Sequence, residues 1–373
     1  MWIILAIYAF VLLRASAAFS RLRQPAAGAP RSWSFSVLVL IPARNEASAL
    51  PLLIADLKAQ GGLLPPVRFL VIDDHSQDGT WDAALRAIGD DRRFELLALT
   101  DSEGKKAALR QGISTGSEEL VITLDADVRV GHDWLGCIAS FFQTNRCALI
   151  ILPVMFSSRG GLTGRLQGAE MLALQMLTSA TAAIGRAVMC NGANLAFRRS
   201  VWERCGTDRY QSVSSGDDLF LLQSMQHKGL GPIHWLHDRR AMAVTDPPST
   251  LGTLLSQRIR WASKSGHYAN PLLLFLTGLV AAINLAGVLV WVYAATGWMS
   301  WGEAISWTAS RTAAEMILLA PVAWWYRRLD AWLLMPLVAV IYPWYALAVA
   351  IGSWVIRPQW KGRRISLHTR TAT

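Results

Sequence analysis

Apolar and polar positions divide the chain into three regimes. Residues 1–19 are apolar apart from Arg14 and a few small polar side chains, a stretch long enough to cross a bilayer as a helix. Arg14, Arg21, Arg23 and Arg31 all come late in that run or after it, and no Lys or Arg precedes it. This asymmetry puts the following domain on the cytoplasmic side and predicts a retained anchor. A cleaved secretory signal, suggested by the small residues at 15–18, is the rival reading. Residues 20–34, with Pro25, Gly28 and Pro30, read as a linker.

From 35 to 250, short aliphatic runs alternate with segments of helical period. Residues 37–41 read as a buried strand. Leu50, Leu53, Ile54 and Leu57 give 47–60 helical spacing, closed by Gly61 and Gly62. Residues 69–72 form a second strand, 80–88 a helix and 94–99 a third strand. Gly104, Lys105 and Lys106 open a helix running through Gly112. Residues 120–128 form a fourth strand, aliphatic until it meets Asp125 and Asp127. The alternation predicts an α/β domain with a doubly wound, mainly parallel sheet.

Residues 164–190 are a long helical stretch rich in Leu, Met and Ala, open to reading as a core helix or an interfacial one. Residues 251–270 read as a cationic interfacial helix, with Lys264 and His267 on its face. The region 271–356 predicts two or three membrane helices: 272–298, a short and doubtful 312–326 carrying Glu315 and Pro321, and 331–356 despite Pro336 and Pro343. The connector 327–330 and the tail 357–373 are both basic. Three simple crossings from a cytoplasmic domain would leave the tail outside, so either one segment is re-entrant or the charge rule fails here.

Composition agrees with a membrane protein. Of 373 residues, 53% are hydrophobic and only 17% charged, and most of the 17 tryptophans fall in the last third. The net charge of +10 admits nucleic acid, an anionic bilayer or a phosphorylated substrate as partner. The cations flank apolar stretches rather than forming one basic run, which favours the bilayer and the phosphate over nucleic acid. Cys137, Cys147, Cys190 and Cys205 lack metal-site spacing and read as reduced thiols.

The chemistry centres on Asp125 and Asp127. Side chains two apart on an extended strand share a face, and two such carboxylates can hold a divalent cation that also touches a diphosphate. The bland alternative is a strand end with two solvated acids. Asp217 and Asp218 precede an apolar run and could simply charge a helix N-terminus. His234 and His237 read as ordinary histidines, and Asp246-Pro247-Pro248 as a turn.

The ordered set Pro42-Ala43-Arg44-Asn45-Glu46, Asp73-Asp74-x-Ser76-x-Asp78-x-Thr80, Gly104-Lys105, Asp125-x-Asp127, Asn191-Gly192-Ala193-Asn194, Gly216-Asp217-Asp218 and Gln257-x-x-Arg260-Trp261 resembles the signatures of family 2 inverting glycosyltransferases of GT-A fold. The resemblance covers about 37–261 and extends to membrane-anchored subgroups similar to ceramide glucosyltransferase or polysaccharide synthases. Asp217-Asp218 stands where many relatives carry Glu-Asp.

The resemblance implies roles. Asp74 would read the nucleotide base, Asp125 and Asp127 would bind nucleotide and Mg²⁺ or Mn²⁺, and Asp218, with Asp217 as rival, would be the catalytic base. Gln257, Arg260 and Trp261 would border the donor site at the membrane, and Lys105 would contact phosphate. The function implied is transfer of one sugar, with inversion, from a nucleotide-sugar, UDP-linked at first guess, to a membrane lipid or polyprenyl phosphate. A processive polysaccharide synthase and an inactive nucleotide-sugar-binding membrane protein are the alternatives.

Overall fold

The computed structural model describes residues 1–25, 33–61, 64–100, 102–205, 217–263, 270–356, 359–360 and 363–364. In chain order the elements are α1 (Trp2–Ser20), β1 (Val37–Ala43), α2 (Leu50–Lys58), β2 (Val67–Asp73), α3 (Thr80–Ile88), β3 (Phe94–Ala98), α4 (Lys105–Ser114), β4 (Leu120–Leu124), β5 (Val128–Val130), α5 (Trp134–Thr144), β6 (Leu149–Ile151) and β7 (Val154–Phe156). There follow α6 (Gly161–Ala183), β8 (Asn194–Arg198), α7 (Arg199–Cys205), α8 (Asp217–His227), β9 (Ile233–Trp235), β10 (Ala243–Thr245), α9 (Leu251–Ala262), α10 (Pro271–Ala295), α11 (Trp301–Tyr326), α12 (Leu329–Trp332) and α13 (Met335–Val355). The chain divides into two units. One comprises 23–155, 189–245 and 361–373; the other comprises 1–22, 156–188 and 246–360.

The first unit is α/β. Its main sheet has the order β3-β2-β1-β4-β8-β6-β9. β1, β2, β3 and β4 are parallel neighbours, as the alternating pattern predicts, while β8 runs antiparallel to both β4 and β6. The sheet is therefore mixed. Residues of β4 are buried throughout, as in a strand at the centre of a covered sheet. Ala43 pairs with Asp73 and Asp73 with Ala98, so the carboxyl ends of β1, β2 and β3 finish level. The antiparallel register Leu124 to Asn194 brings the turn before β8 to the carboxyl end of β4. Gly112 lets α4 lie close on this sheet: a Cβ there would sit 2.5 Å from Leu40 Cδ2 and 2.6 Å from Ile72 Cδ1.

The second unit is helical. Among the described residues, Trp2–Ser20, Pro271–Ala295 and Met335–Val355 are long and apolar enough to cross a membrane. α11 corrects the short 312–326 segment, since it begins at Trp301, where Ser300 and Glu303 form a capping box. Its internal charges are paired: Arg311 Nε donates to Glu315 at 2.9 Å, and Arg311 Nη2 to Asn284 of α10 at 3.1 Å. Tyr8 of α1 donates to the same Glu315 at 3.0 Å. Hydropathy alone undervalues such a helix, because it counts each charge as if it were unpaired. α6 packs against α1, α11 and α12 within this unit, which makes it a core helix here. Lys264, His267, Gly216 and most of the basic tail lie outside the described residues.

Candidate active site

Extended strand geometry does not reach the Asp125-x-Asp127 pair. β4 stops at Leu124 and the pair sits in a turn, pinned by Asp125 N donating to Ala193 O at 3.2 Å. Asp125 is half-buried and Asp127 exposed. What gathers the site is the loop before β8. Lys105, at the first turn of α4, donates through Nζ to Asp125 Oδ1 and to Gly192 O, the latter at 3.2 Å. Thr123 Oγ1 donates to the same carbonyl at 3.0 Å. On the other side of that residue, Gly192 N donates to Asp218 Oδ2 at 2.8 Å. One glycine thus stands between the Lys105–Asp125 ion pair and Asp218. A Cβ at Gly192 would lie 3.3 Å from both Lys105 Nζ and Asp218 Cβ, so the approach is close on both sides.

Asp218 is the second residue of α8, and its Oδ1 accepts from Leu219 N at 2.8 Å. Each carboxylate oxygen so takes one backbone N–H and keeps capacity for another partner. The Cys190 thiol nearby is pushed well above its ordinary range, by burial first and then by the charge of Asp218. The side chain of Asp217 lies outside the described ones.

The loops after β1 and β2 are laced together beside this cluster. Asn45 N donates to Ser76 Oγ (2.9 Å), Glu46 N to Thr80 Oγ1 (2.8 Å) and Ala47 N to Asp78 Oδ2 (3.0 Å). Asp78 also accepts from Thr80 N at 3.1 Å. Ser76, Asp78 and Thr80 therefore shape the loops. Asp74 is 1% exposed. Its Oδ2 accepts from Gly104 N at 3.0 Å, and Arg44, itself buried, donates to its backbone carbonyl at 2.7 Å.

Gln257, Arg260 and Trp261 lie on α9, in the helical unit. His237 is buried and its imidazole is held down at about 4 by desolvation, while His234 is lowered by the same cause. No group of three or more His, Cys, Asp or Glu among the described residues could hold a metal ion. That donor set still fits Mg²⁺ or Mn²⁺ at Asp125 and Asp127. Such cations commonly take one or two carboxylates and complete their shell with substrate phosphates and water. Gly192 and Arg44 are the site residues that hydropathy and periodicity miss. Gly192 acts through its peptide group, and its neighbourhood showed in the sequence only as the Asn191–Asn194 motif.

A mixed α/β sheet with acids gathered at the carboxyl ends of its parallel strands has the GT-A arrangement. Residues 38–206 match the model of glycosyl transferase family 2. The chain is 26% identical over 310 residues to an N-acetylglucosaminyltransferase of Rhizobium meliloti, covering 78% of this chain and 68% of that protein. It is 28% identical over 261 residues to another from Rhizobium sp. strain N33, covering 67% and 57%. A poly-β-1,6-N-acetyl-D-glucosamine synthase of Staphylococcus aureus is 26% identical over 53% of this chain and 47% of its own length. The chain thus spans only about half to two thirds of these relatives. Among solved structures, a mannosyltransferase from Pyrobaculum calidifontis, in complex with GDP-Man and Mn²⁺, shares the fold with a TM-score of 0.58. Its identity is 18%, over 91% of this chain and 95% of that one. Over residues 38–206 the chain is thus similar to the family 2 glycosyltransferases.

Proposed function

We propose that this enzyme transfers a single sugar, with inversion, from a UDP-sugar to a membrane-resident lipid acceptor. N-acetylglucosamine is the sugar favoured, on the names of the Rhizobium relatives. The observation that carries the reading is the convergence of Asp125, Lys105, Gly192 and Asp218 at the end of β4 and the starts of α4 and α8.

In this reading Asp125 and Asp127 would hold Mg²⁺ or Mn²⁺, which when bound neutralises charge on the diphosphate. Lys105 adds a cation on the same side, and the motif resemblance gives Gln257, Arg260 and Trp261 a donor-binding role. Asp74, fixed by Gly104 and Arg44, shapes the nucleotide end. Asp218 accepts the proton of the acceptor hydroxyl as its oxygen bonds the anomeric carbon and the bond to the diphosphate breaks. Asp218 has accessible lone pairs for this, whereas Asp125 is engaged by Lys105.

The polymer synthase among the relatives supports a second reading, repeated transfer to one growing chain. The test is incubation of the purified enzyme in lipid with UDP-N-acetylglucosamine and Mn²⁺, followed by mass analysis of lipid-extracted products. One added sugar supports single transfer, a ladder supports the synthase, and absence of any glycosylated product counts against both.

In this reading the α/β unit faces the cytoplasm. Phe19 near the end of α1 meets Trp325 near the end of α11, with ring centroids 6.1 Å apart. Arg328 donates to the carbonyls of Phe156 and Ser157, the latter at 3.3 Å. These contacts favour the connector 327–330 lying at the membrane side from which the chain continues to residue 23. Gly352, near the end of α13, packs against Ile259 of α9, which favours a re-entrant α13 with the tail on that same side.

A further inference from the structure

Arg258 is one of the two positions that the Gln-x-x-Arg-Trp pattern leaves unspecified, yet it is among the most thoroughly engaged side chains of the helical unit. It is 4% exposed. Its Nε and Nη2 donate to Glu170 Oε2 of α6 at 2.9 and 2.6 Å. Its Nη1 donates to the amide oxygen of Gln257. The guanidinium carbon lies 4.3 Å from the centroid of the Trp261 ring. Glu170 is held in turn by Tyr342 of α13, whose hydroxyl donates to Oε1 at 3.2 Å.

We propose that Arg258 is the positioning residue of this motif: it fixes Gln257 and Trp261 in the arrangement that sugar transfer uses, with Glu170 and Tyr342 fixing Arg258. The inference rests on the reading of Gln257, Arg260 and Trp261 as donor-site residues. A planar guanidinium can serve a carboxylate along one edge, an amide oxygen with its remaining nitrogen and an indole with its face, all at once. A lysine ammonium is a point charge and can replace only the ion pair. Because the Gln257 oxygen is taken by Arg258, the NH₂ is the group Gln257 has left to offer a ligand. A buried cation costs free energy unless it is paired, and Glu170 provides the pairing.

The experiment is a double-mutant cycle on the full chain in lipid, with UDP-N-acetylglucosamine as donor and transfer rate and thermal midpoint as readouts. Arg258→Lys, Trp261→Ala and the double variant are compared. Arg258→Lys should unfold at nearly the parental temperature yet transfer about tenfold or more slowly. In the Trp261→Ala background it should cost little further, because its effect passes through that ring. Should Arg258→Lys fail to fold, the apolar pair Glu170→Met with Arg258→Met removes both charges together and should show the same non-additivity. Losses that multiply, or an Arg258→Lys variant with the parental rate, overturn the positioning role. Parental transfer in Trp261→Ala and in Gln257→Ala overturns the donor-site reading itself, and the proposal with it.

Discussion

Asp218, the proposed base, takes a backbone N–H on each carboxylate oxygen and keeps a lone pair on each. Asp218→Asn should therefore cut turnover by a factor of about 10² to 10⁴, with nucleotide-sugar affinity nearly intact. Asp217→Asn should do less to the chemical step. Rates and nucleotide binding on both folded variants check this, and a dead Asp217→Asn beside a normal Asp218→Asn would swap the roles. If both transfer at the parental rate, the acceptor is better read as a polyprenyl phosphate, whose oxygen is already ionised. Asp127 stands exposed at the turn after β4, where a cation bridging to a diphosphate would sit. Asp127→Asn should abolish most of the Mn²⁺-dependent gain in UDP binding, measured by calorimetry with and without the metal. Binding that stays equally metal-dependent would remove Asp127 from the metal site.

Helices and strands pack here on specific absences of side-chain volume. A Cβ at Gly112 would lie 2.5 Å from Leu40 and 2.6 Å from Ile72, whereas one at Gly136 in α5 would meet nothing within 4 Å. Gly112→Ala should destabilise by about 1–3 kcal/mol through overpacking, and Gly136→Ala should stabilise by up to about 1 kcal/mol. Chemical denaturation of the two variants in a shared background reads the opposite signs. His237 gives a pH signature. Burial lowers its imidazole from 6.5 to about 4, so between those values the unfolded chain binds a proton that the fold refuses. Its contribution is complete above pH 6.5, declines as pH falls through the window and levels off below 4. The decline in thermal midpoint from pH 6.5 to 4.5 should be shallower in a folded His237→Gln variant, and an identical slope would contradict this.

Most of the elements were legible in the sequence. The α3 helix has the predicted bounds, and β1, β2 and β3 differ only at their ends, because apolar runs and glycine stops mark buried strands and their exits. The antiparallel β8 was not legible, since a short apolar strand carries no mark of direction. The role of Gly192 depends on that pairing, so it was hidden as well. The start of α11 was obscured by Arg311 and Glu315, whose further partners, Asn284 of α10 and Tyr8 of α1, come only with tertiary packing.

At the scale of the molecule, the arrangement couples an α/β unit to helices long enough to cross a membrane, and its topology can be tested. Native thiols report poorly on sidedness. Cys137 and Cys205 are buried, and burial raises Cys147 to about 11. An introduced reporter such as Thr371→Cys is better. With α13 re-entrant, it should resist an impermeant thiol reagent in intact cells and react after permeabilisation. Labelling in intact cells would instead make α13 a full crossing. The proposed inverting transfer from a nucleotide-sugar is tested most directly by the anomeric configuration of the product. UDP-N-acetylglucosamine carries its sugar α-linked, so NMR of the purified product should show a β-linked sugar. An α-linked product, or no transferred sugar from any nucleotide-sugar in the presence of Mn²⁺, would contradict the account.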